Sequence, residues 1–486
     1  MELFARQDAR ECYRVAGDDI SCSQTGLGQP IVDLKHQLTS LKSIFLGQGD
    51  TTSLRGRAMN SGAWIGAGFA VQKALQFGSN LILTRLLFPE AFGLMALASV
   101  FMVGLAMFSD VGIKPAIIRD PRGDDPDFLN TAWTIQVVRG VILCIAGVLI
   151  SYPISILYGQ PLLFPILACL STTALISGFT SVSMATAERK LSFKTITIVQ
   201  ISSQLISTIS TIFIVYFWNS IWSLVISNIL SSLFLVILSL IFLDRHRHKL
   251  RIERRAFNSL LTFGRWIFLS TLLTYCGGEG LKALQGGLIS PSEFGVLAIA
   301  YSMASIPNDL ATRLASSIGL PVLAETFRNS PERARAILRR FRFRMMAMST
   351  LTATAIALVA QPMISLLYDY RYHHAGTYLA ILVISNSILP ACSGYGSALL
   401  ATGQSRTYFF NMFITAVFKI FSIYMGFKIL GIIGMLVAIG ISNIFSLLVY
   451  MALVRKMDFR DYFLDSMCIF STIFIATSLK LLLYWA

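Results

Sequence analysis

Acidic side chains inside long apolar runs are the residues of this sequence best suited to ion chemistry. Glu279 lies in the glycine-rich stretch 277–280, and Asp309 lies in the next apolar run. A charge at the bilayer centre costs about 2.5–3.5 kcal/mol, so each carboxylate should face a cavity or a partner. Glycine-interrupted helices bind coupling ions in transporters. We therefore predict Glu279 and Asp309 as candidate sites for a coupling H⁺ or Na⁺. Pairing of Glu279 with Lys282 is the alternative, and the i, i+4 spacing of Asp309 and Arg313 predicts a helix ion pair.

Basic side chains in or beside the same runs are suited to binding an anion. Lys73 and Lys419 lie near the middle of apolar runs, where their stems do not readily reach the interface. Arg85 and Lys282 lie at the ends of runs and could line a mouth. A lumen rich in Lys and Arg prefers an anionic substrate, such as a pyrophosphate or an acidic sugar. These four residues are our candidate substrate-binding residues, with a buried structural role as the alternative for Lys73 and Lys419.

The elements that must position these side chains are membrane helices. The 486 residues are 55% hydrophobic and only 13% charged, about half the charge density of a soluble protein. About twenty apolar residues cross the hydrocarbon core as a helix. The sequence therefore predicts an all-α polytopic membrane protein with about 12–14 transmembrane helices in two pseudo-symmetric six-helix lobes. The thirteen predicted spans are 62–84, 92–112, 132–151, 162–185, 195–217, 221–243, 260–281, 294–318, 346–368, 377–400, 409–428, 432–454 and 468–485.

The distribution of basic residues predicts the orientation of these spans. Most Lys and Arg fall in the even-numbered connections, notably in 245–255 and 328–344. The positive-inside rule places these loops and the N-terminus in the cytoplasm. We expect a multi-pass protein of the bacterial inner membrane. We therefore expect the basic residues that give the chain its net charge of +15 to interact with lipid headgroups, and we predict no nucleic-acid partner. The short outer connections carry aromatic residues such as Tyr158 and Tyr372, which we expect in an interfacial belt.

The chain divides into four predicted regions. Residues 1–57 are polar and contain no long apolar core, so we predict a disordered cytoplasmic tail. The N-terminal six-helix lobe covers 58–245, and the C-terminal six-helix lobe covers 246–455. Residues 456–486 hold an extra C-terminal helix.

An internal repeat supports the two-lobe prediction. Pro89-Glu90-Ala91-Phe92-Gly93 opens the second span, and Pro291-Ser292-Glu293-Phe294-Gly295 opens the eighth. The two motifs share Pro-x-x-Phe-Gly and precede apolar runs in the same orientation. Parallel repeats of this kind place a substrate cavity at the interface between the halves.

The stretch from Leu83 to Gly93, LTRLLFPEAFG, and its counterpart at 288–301 carry a resemblance to a known family. They resemble the Wzx-type flippases of the polysaccharide transporter family in the MOP superfamily, whose stretch reads Ala-Arg-Leu-Leu-x-Pro-x-x-Phe-Gly. The resemblance covers roughly residues 60–455. In this family an acidic residue, usually Asp, precedes the second motif, and Glu279 occupies that position here.

The resemblance implies a two-lobed bundle that moves an undecaprenyl-pyrophosphate-linked oligosaccharide from the cytoplasmic to the periplasmic leaflet. Such transport serves exopolysaccharide, capsule or O-antigen synthesis and proceeds by alternating access coupled to a cation. A polysaccharide polymerase and a chain-length regulator are the protein partners that the resemblance implies.

Two other classes remain as alternatives. A multidrug or cation antiporter of the same superfamily should present an acidic cavity, which the basic lumen disfavours. A membrane glycosyltransferase, polymerase or ligase acting on lipid-linked sugars should carry catalytic residues on a large outer loop. The longest predicted outer connection is about a dozen residues, close to a minimal linker.

The seven cysteines lack metal-ligand spacing. We therefore predict no enzyme, no catalytic residues, no metal and no cofactor.

Overall fold

The described part of the protein is built from helices. The structure is a computed structural model that describes residues 54–109, 112–190, 192–243, 249–314, 331–401, 404–454 and 463–472, and in these ranges every regular element is a helix. The chain divides into two compact units, Met1–Ala63 and Trp64–Ala486. The described part of the first unit is the beginning of one helix, and the other described elements belong to the second unit. The predicted tail lies outside the described residues, except that its last four positions are helical.

The helices of the described ranges are numbered here in chain order. They are α1 (Leu54–Leu86), α2 (Pro89–Phe108), α3 (Ile113–Arg119), α4 (Pro126–Leu157), α5 (Leu163–Gly178), α6 (Ser183–Arg189), α7 (Phe193–Phe217), α8 (Ile221–Leu243), α9 (Arg254–Gly277), α10 (Glu279–Leu288), α11 (Pro291–Ala304), α12 (Ile306–Leu314), α13 (Pro331–Leu367), α14 (His374–Asn386), α15 (Leu389–Ala401), α16 (Ser405–Leu453) and α17 (Phe463–Thr472).

Length and apolarity identify membrane spans among these helices. In the described ranges seven helical segments are long and apolar enough to cross a membrane, and α5 with α6, bent by 59°, gives an eighth. Helix α1 matches the first predicted span but is not among the seven. Its middle carries Gln72, Lys73 and Gln76, which lower its hydropathy. The last predicted span, 468–485, is described only as far as residue 472, where it belongs to α17.

Several predicted spans are interrupted. Gly278 separates α9 from α10, and Ser305 separates α11 from α12. Helix α16 contains two predicted spans joined at Leu430 and Gly431, where the backbone leaves the helical region. Gly431 has φ +61°, a left-handed conformation that glycine adopts without steric cost. The breaks at Gly278 and Ser305 place main-chain turns beside the charged residues that the sequence singles out.

The two repeat motifs pack directly against each other. In both α2 and α11 the proline occupies the first turn, where its missing N–H costs no hydrogen bond. A Cβ at Gly93 would lie 1.7 Å from the carbonyl oxygen of Pro291, and a Cβ at Gly295 would lie 1.9 Å from that of Pro89. The contact is therefore reciprocal: each glycine makes room for the proline carbonyl of the other motif. The repeat is a pseudo-symmetric helix crossing that only small residues permit.

The aromatic residues of the outer connections do not all form the predicted belt. Tyr372 is fully buried and donates a hydrogen bond to the carbonyl of Leu87 at 3.4 Å. Tyr158 is partly buried and donates to the carbonyl of Ala283 at 2.9 Å. The belt prediction is wrong for Tyr372, which is buried between helices with its hydroxyl bonded to a carbonyl; for Tyr158 it stays a prediction.

The connector 249–253, between α8 and α9, lies along the first turns of α4. The side chains of Asn130, Thr131 and Thr134 accept hydrogen bonds from connector N–H groups at 2.9–3.0 Å. The Arg122 guanidinium donates to Asp125 at 2.7 Å and to Glu253 at 3.0 Å. This guanidinium lowers the pKa of both carboxyls below their ordinary range. The connector thus ties the beginning of α9 to α4.

Candidate functional site

Lys73 and Asp309 form an ion pair between α1 and α12. The Lys73 Nζ lies 3.0 Å from Asp309 Oδ2, and both side chains are partly exposed. The helix break places Ser305 one turn before Asp309, and its hydroxyl donates to the same carboxylate oxygen at 3.2 Å. A candidate substrate-binding residue and a candidate ion-coupling residue therefore contact each other. The side chain of Arg313, the predicted helix partner of Asp309, lies outside the described residues.

Glu279 and Lys282 form a second ion pair, within α10. The Lys282 Nζ lies 2.7 Å from Glu279 Oε1. The same ammonium lies 5.5 Å from the centroid of the Tyr301 ring, a distance suited to a cation–π contact. Tyr301 donates a hydrogen bond to the side-chain oxygen of Gln285 at 2.9 Å, and Gln285 is fully buried. The simple pairing that the sequence offered as an alternative is the arrangement found. Any ion that binds Glu279 must therefore compete with Lys282.

Arg85, the remaining candidate at the outer end of α1, is exposed. It forms no ion pair with the part of the chain that the structure describes. The nearby outer pair is instead Arg371 with Asp369, at 2.7 Å. No ion pair of the described residues therefore links Arg85 with Glu279 or Asp309.

Lys419 lines a cavity among the helices that follow residue 254 in the described ranges. The cavity encloses about 490 Å³ between α16, α15, α12 and the break at Gly278. No carboxylate of the described residues pairs with Lys419, in contrast to Lys73 and Lys282. Neutral polar groups make up most of the remaining hydrogen-bonding surface. They are Thr274, Asn308, Thr312, Ser393, Ser397, Tyr408, Asn411, Thr415, Asn443, Ser446 and Tyr450.

Two side-chain acceptors that line this cavity, on Asn411 and Asn443, have unfilled hydrogen-bonding capacity. The Asn443 amide donates to the carbonyl of Ser385 at 2.8 Å, which fixes its orientation. Its oxygen is buried and receives no hydrogen bond from the described residues. A buried acceptor left without a donor costs free energy, so it is suited to a hydroxyl of a bound molecule. Together with Lys419, the cavity can hold a polar ligand with one anionic group.

Helix α12 connects this cavity with the Lys73 pair. Asn308 and Thr312 are spaced i, i+4 and both line the cavity, whereas Asp309 reaches Lys73 on α1. The cavity and the ion pair are thus adjacent features on two faces of one short helix.

A buried ion pair that the sequence reasoning missed supports the cavity wall. Arg342 of α13 pairs with Asp465 of α17, and both side chains are almost completely buried. Tyr395 donates to the same carboxylate at 2.6 Å, and the guanidinium carbon lies 3.6 Å from the centre of its ring. Tyr395 stacks on Tyr450, which lines the cavity. The C-terminal helix is therefore attached to the cavity through a continuous set of contacts.

A helical-wheel signal distinguishes Arg342 from its basic neighbours. Arg340 and Arg344 are spaced i, i+4 and are exposed, whereas Arg342 points to the opposite face of α13 and is buried. Gly394 gives it room, since a Cβ there would lie 2.6 Å from the Arg342 Cγ. The only sequence feature that indicates burial of Asp465 is its position beside an apolar run.

The described residues contain no group of three His, Cys, Asp or Glu side chains placed to hold a metal ion.

A protein-family model described as "Polysaccharide biosynthesis protein" matches residues 82–377 of the chain. Among curated proteins, the chain is 21% identical over 420 residues to the lipopolysaccharide biosynthesis protein WzxC of Escherichia coli K12, with 85% of each chain covered. It is 20% identical over 343 residues to the succinoglycan biosynthesis transport protein ExoT of Rhizobium meliloti 1021, covering 71% of this chain and 69% of ExoT.

Solved structures with similar folds are membrane transporters. An inward-facing multidrug transporter of the MATE family in the MOP superfamily aligns with TM-score 0.64 at 14% identity, covering 79% of this chain and 94% of the other. The lipid II flippase MurJ in an inward closed conformation aligns with TM-score 0.63 at 14% identity, covering 87% and 98%. These alignments establish the fold.

Proposed function

Because the chain belongs to the polysaccharide biosynthesis protein family of membrane transporters, we propose that it translocates an undecaprenyl-pyrophosphate-linked oligosaccharide across the bacterial inner membrane. The single observation that carries this proposal is the Lys419 cavity. One cation without a described counterion lies there among neutral hydroxyl and amide groups. Phosphate and sugar chemistry together require this combination, because a phosphate needs positive charge and a sugar needs many donors and acceptors.

Alternating access and cation coupling are further parts of the proposal. The Lys73–Asp309 pair joins α1 to α12, which belong to different predicted lobes. Protonation of Asp309, or Na⁺ binding to it, removes its attraction for Lys73 and so favours separation of these helices. Glu279 is the second candidate for this role, through its pairing with Lys282. A polysaccharide polymerase and a chain-length regulator are the expected partners in the same pathway.

The charge of the cavity bears on the antiporter alternative. An exporter of organic cations needs an acidic binding surface. The lining residues of the Lys419 cavity include one Lys and no Asp or Glu. The cavity therefore favours an anionic substrate, although the fold is shared with a multidrug transporter.

The proposal is tested with purified protein in liposomes that contain a fluorescent polyprenyl-diphosphate oligosaccharide. We expect the wild type to translocate the lipid and Lys419→Gln to do so at least about tenfold more slowly, because one charge-assisted hydrogen bond contributes about 1.5–3 kcal/mol. Lys428→Gln is the matched control, since Lys428 lies on the same helix but is exposed. Imposed H⁺ and Na⁺ gradients test the coupling.

Two outcomes would contradict the proposal. Formation of new glycosidic bonds without translocation would identify a membrane enzyme. Transport of organic cations, with the lipid-linked sugar left in place, would identify an antiporter.

A further inference from the structure

Four glutamines form two matched pairs on facing helices. Gln72 and Gln76 are spaced i, i+4 on α1, and Gln200 and Gln204 have the same spacing on α7. Residues four apart lie on one face of a helix, so each pair forms a polar stripe. Uncharged polar side chains in a membrane helix face partners or water rather than lipid. Since Gln76 and Gln200 are both exposed in the protein, these stripes belong to a water-accessible surface.

The geometry of the two helices leaves a small polar cavity between the stripes. Gly68 and Thr197 lie in close contact, because a Cβ at Gly68 would lie 2.5 Å from the Thr197 methyl group. One turn further along α1, the Gln72 amide donates to the Gln200 oxygen at 3.4 Å. A second turn along, Gln76 and Gln204 bind no other described side chain and line a cavity of about 240 Å³. The helices therefore diverge from the Gly68 contact, and their amides remain available where they separate.

The lining of this cavity, which we call the glutamine cavity, selects against charge. It consists of Gln72, Gln76, Gln204, Phe69 and Lys73. The Lys73 ammonium is already neutralised by Asp309 at 3.0 Å, so the cavity offers no free cation to an anion. Each amide supplies both a donor and an acceptor, whereas Phe69 is buried and the Lys73 ammonium lies 5.6 Å from the centroid of its ring. This set matches a neutral molecule with many hydroxyl groups.

The size of the cavity limits the ligand further. A volume of about 240 Å³ is below the roughly 300–1,000 Å³ of pockets that hold drug-sized ligands, which leaves room for one sugar ring and not for a chain of sugars. We propose that the glutamine cavity binds a single hexose unit of the lipid-linked substrate. This inference rests on the proposed function and specifies how the same transporter recognises its cargo. Recognition of the sugar is thereby separated from recognition of the anion at Lys419.

The test compares two probes on the purified full-length protein in nanodiscs. One probe is a polyprenyl diphosphate carrying one hexose, prepared with glucose, galactose and N-acetylglucosamine in turn, and the other is the same lipid without a sugar. We expect the wild type to bind at least one glycosylated probe about tenfold more tightly than the bare lipid, as a few hydrogen bonds would give. Gln76→Met and Gln204→Met should each reduce this ratio about threefold, and the double variant should bring it to about one. Gln404→Met, in an exposed connection, should leave the ratio at its wild-type value.

Failure of this inference differs from failure of the proposed function. If the wild type translocates the lipid-linked oligosaccharide but shows no preference for any glycosylated probe, the sugar site is refuted. An unchanged ratio in the Gln76→Met, Gln204→Met double variant also refutes it. If the wild type translocates no lipid-linked sugar in liposomes, the proposed function itself fails.

Discussion

Gly93→Ala tests the reciprocal crossing of α2 and α11. The added Cβ would lie 1.7 Å from the Pro291 carbonyl oxygen, whereas ordinary contact begins at 3.4 Å. The two backbones must therefore separate by about 1.7 Å, since the obstructing atom is main chain and has no rotamer to change. Overpacking of a core typically costs about 1–3 kcal/mol, and a backbone obstruction lies at the upper end. We expect Gly93→Ala to lower the free energy of unfolding by about 3 kcal/mol.

Gly78→Ala provides the matched control for this substitution. Gly78 lies inside α1, and a Cβ added there would have no neighbouring atom within 4 Å. Alanine is a better helix former than glycine by about 0.8–1 kcal/mol, so this variant should be unchanged or slightly more stable. Both variants are compared by titrating unfolding of the purified protein with a denaturing detergent. The crossing is refuted if the two substitutions have equal effects, or if Gly295→Ala is tolerated while Gly93→Ala is not.

Two further predictions concern charged groups. Asp465→Asn should destabilise the protein by about 3–5 kcal/mol, because it leaves buried Arg342 without its counterion. The double variant Arg342→Met, Asp465→Leu should recover most of this loss of stability in the same titration. If the single and double variants lose equal stability, the broken ion pair is not the cause. Arg122 lowers the pKa of Asp125 and of Glu253 below their ordinary values of 3.8 and 4.5. The two carboxylates should therefore stabilise the folded protein at neutral pH. This stabilisation should be lost as the pH falls through the lowered pKa values of the folded protein. Arg122→Ala should therefore show a weaker decline in stability below about pH 5 than the wild type, and Arg340→Ala, in an exposed position, should decline as the wild type does.

The fold was predictable where it depends on local pattern. Apolar runs of sufficient length located the helical segments that are long and apolar enough to cross a membrane in the described ranges, and the Pro-x-x-Phe-Gly motifs located the pseudo-symmetric pair α2 and α11. The motifs did not predict that Gly93 and Gly295 would meet. A glycine in a helix has the same sequence signature whether a backbone or open space lies beside it.

The candidate site was predictable in its residue types but not in its pairings. Lys73 and Lys419 are equivalent in the sequence, since both lie deep in apolar runs. The structure pairs Lys73 with Asp309 and gives Lys419 no carboxylate among the described residues. The i, i+4 rule gives Asp309 a partner on its own helix, Arg313, whereas the structure shows contacts of its carboxylate with Lys73 of α1 and with the Ser305 hydroxyl. A contact between two helices depends on how they pack, which local spacing does not encode.

The reciprocal contact between α2 and α11 has a consequence for how such a chain originates. In it, Gly93 receives the carbonyl of Pro291 and Gly295 receives the carbonyl of Pro89. An interface in which the same atoms are exchanged in both directions has the isologous symmetry of a homodimer. A single ancestral half carrying one Pro-x-x-Phe-Gly motif would satisfy this contact by dimerising with its own copy. In the single chain, the two glycines are held by one shared steric constraint, so neither half can acquire a side chain there independently of the other.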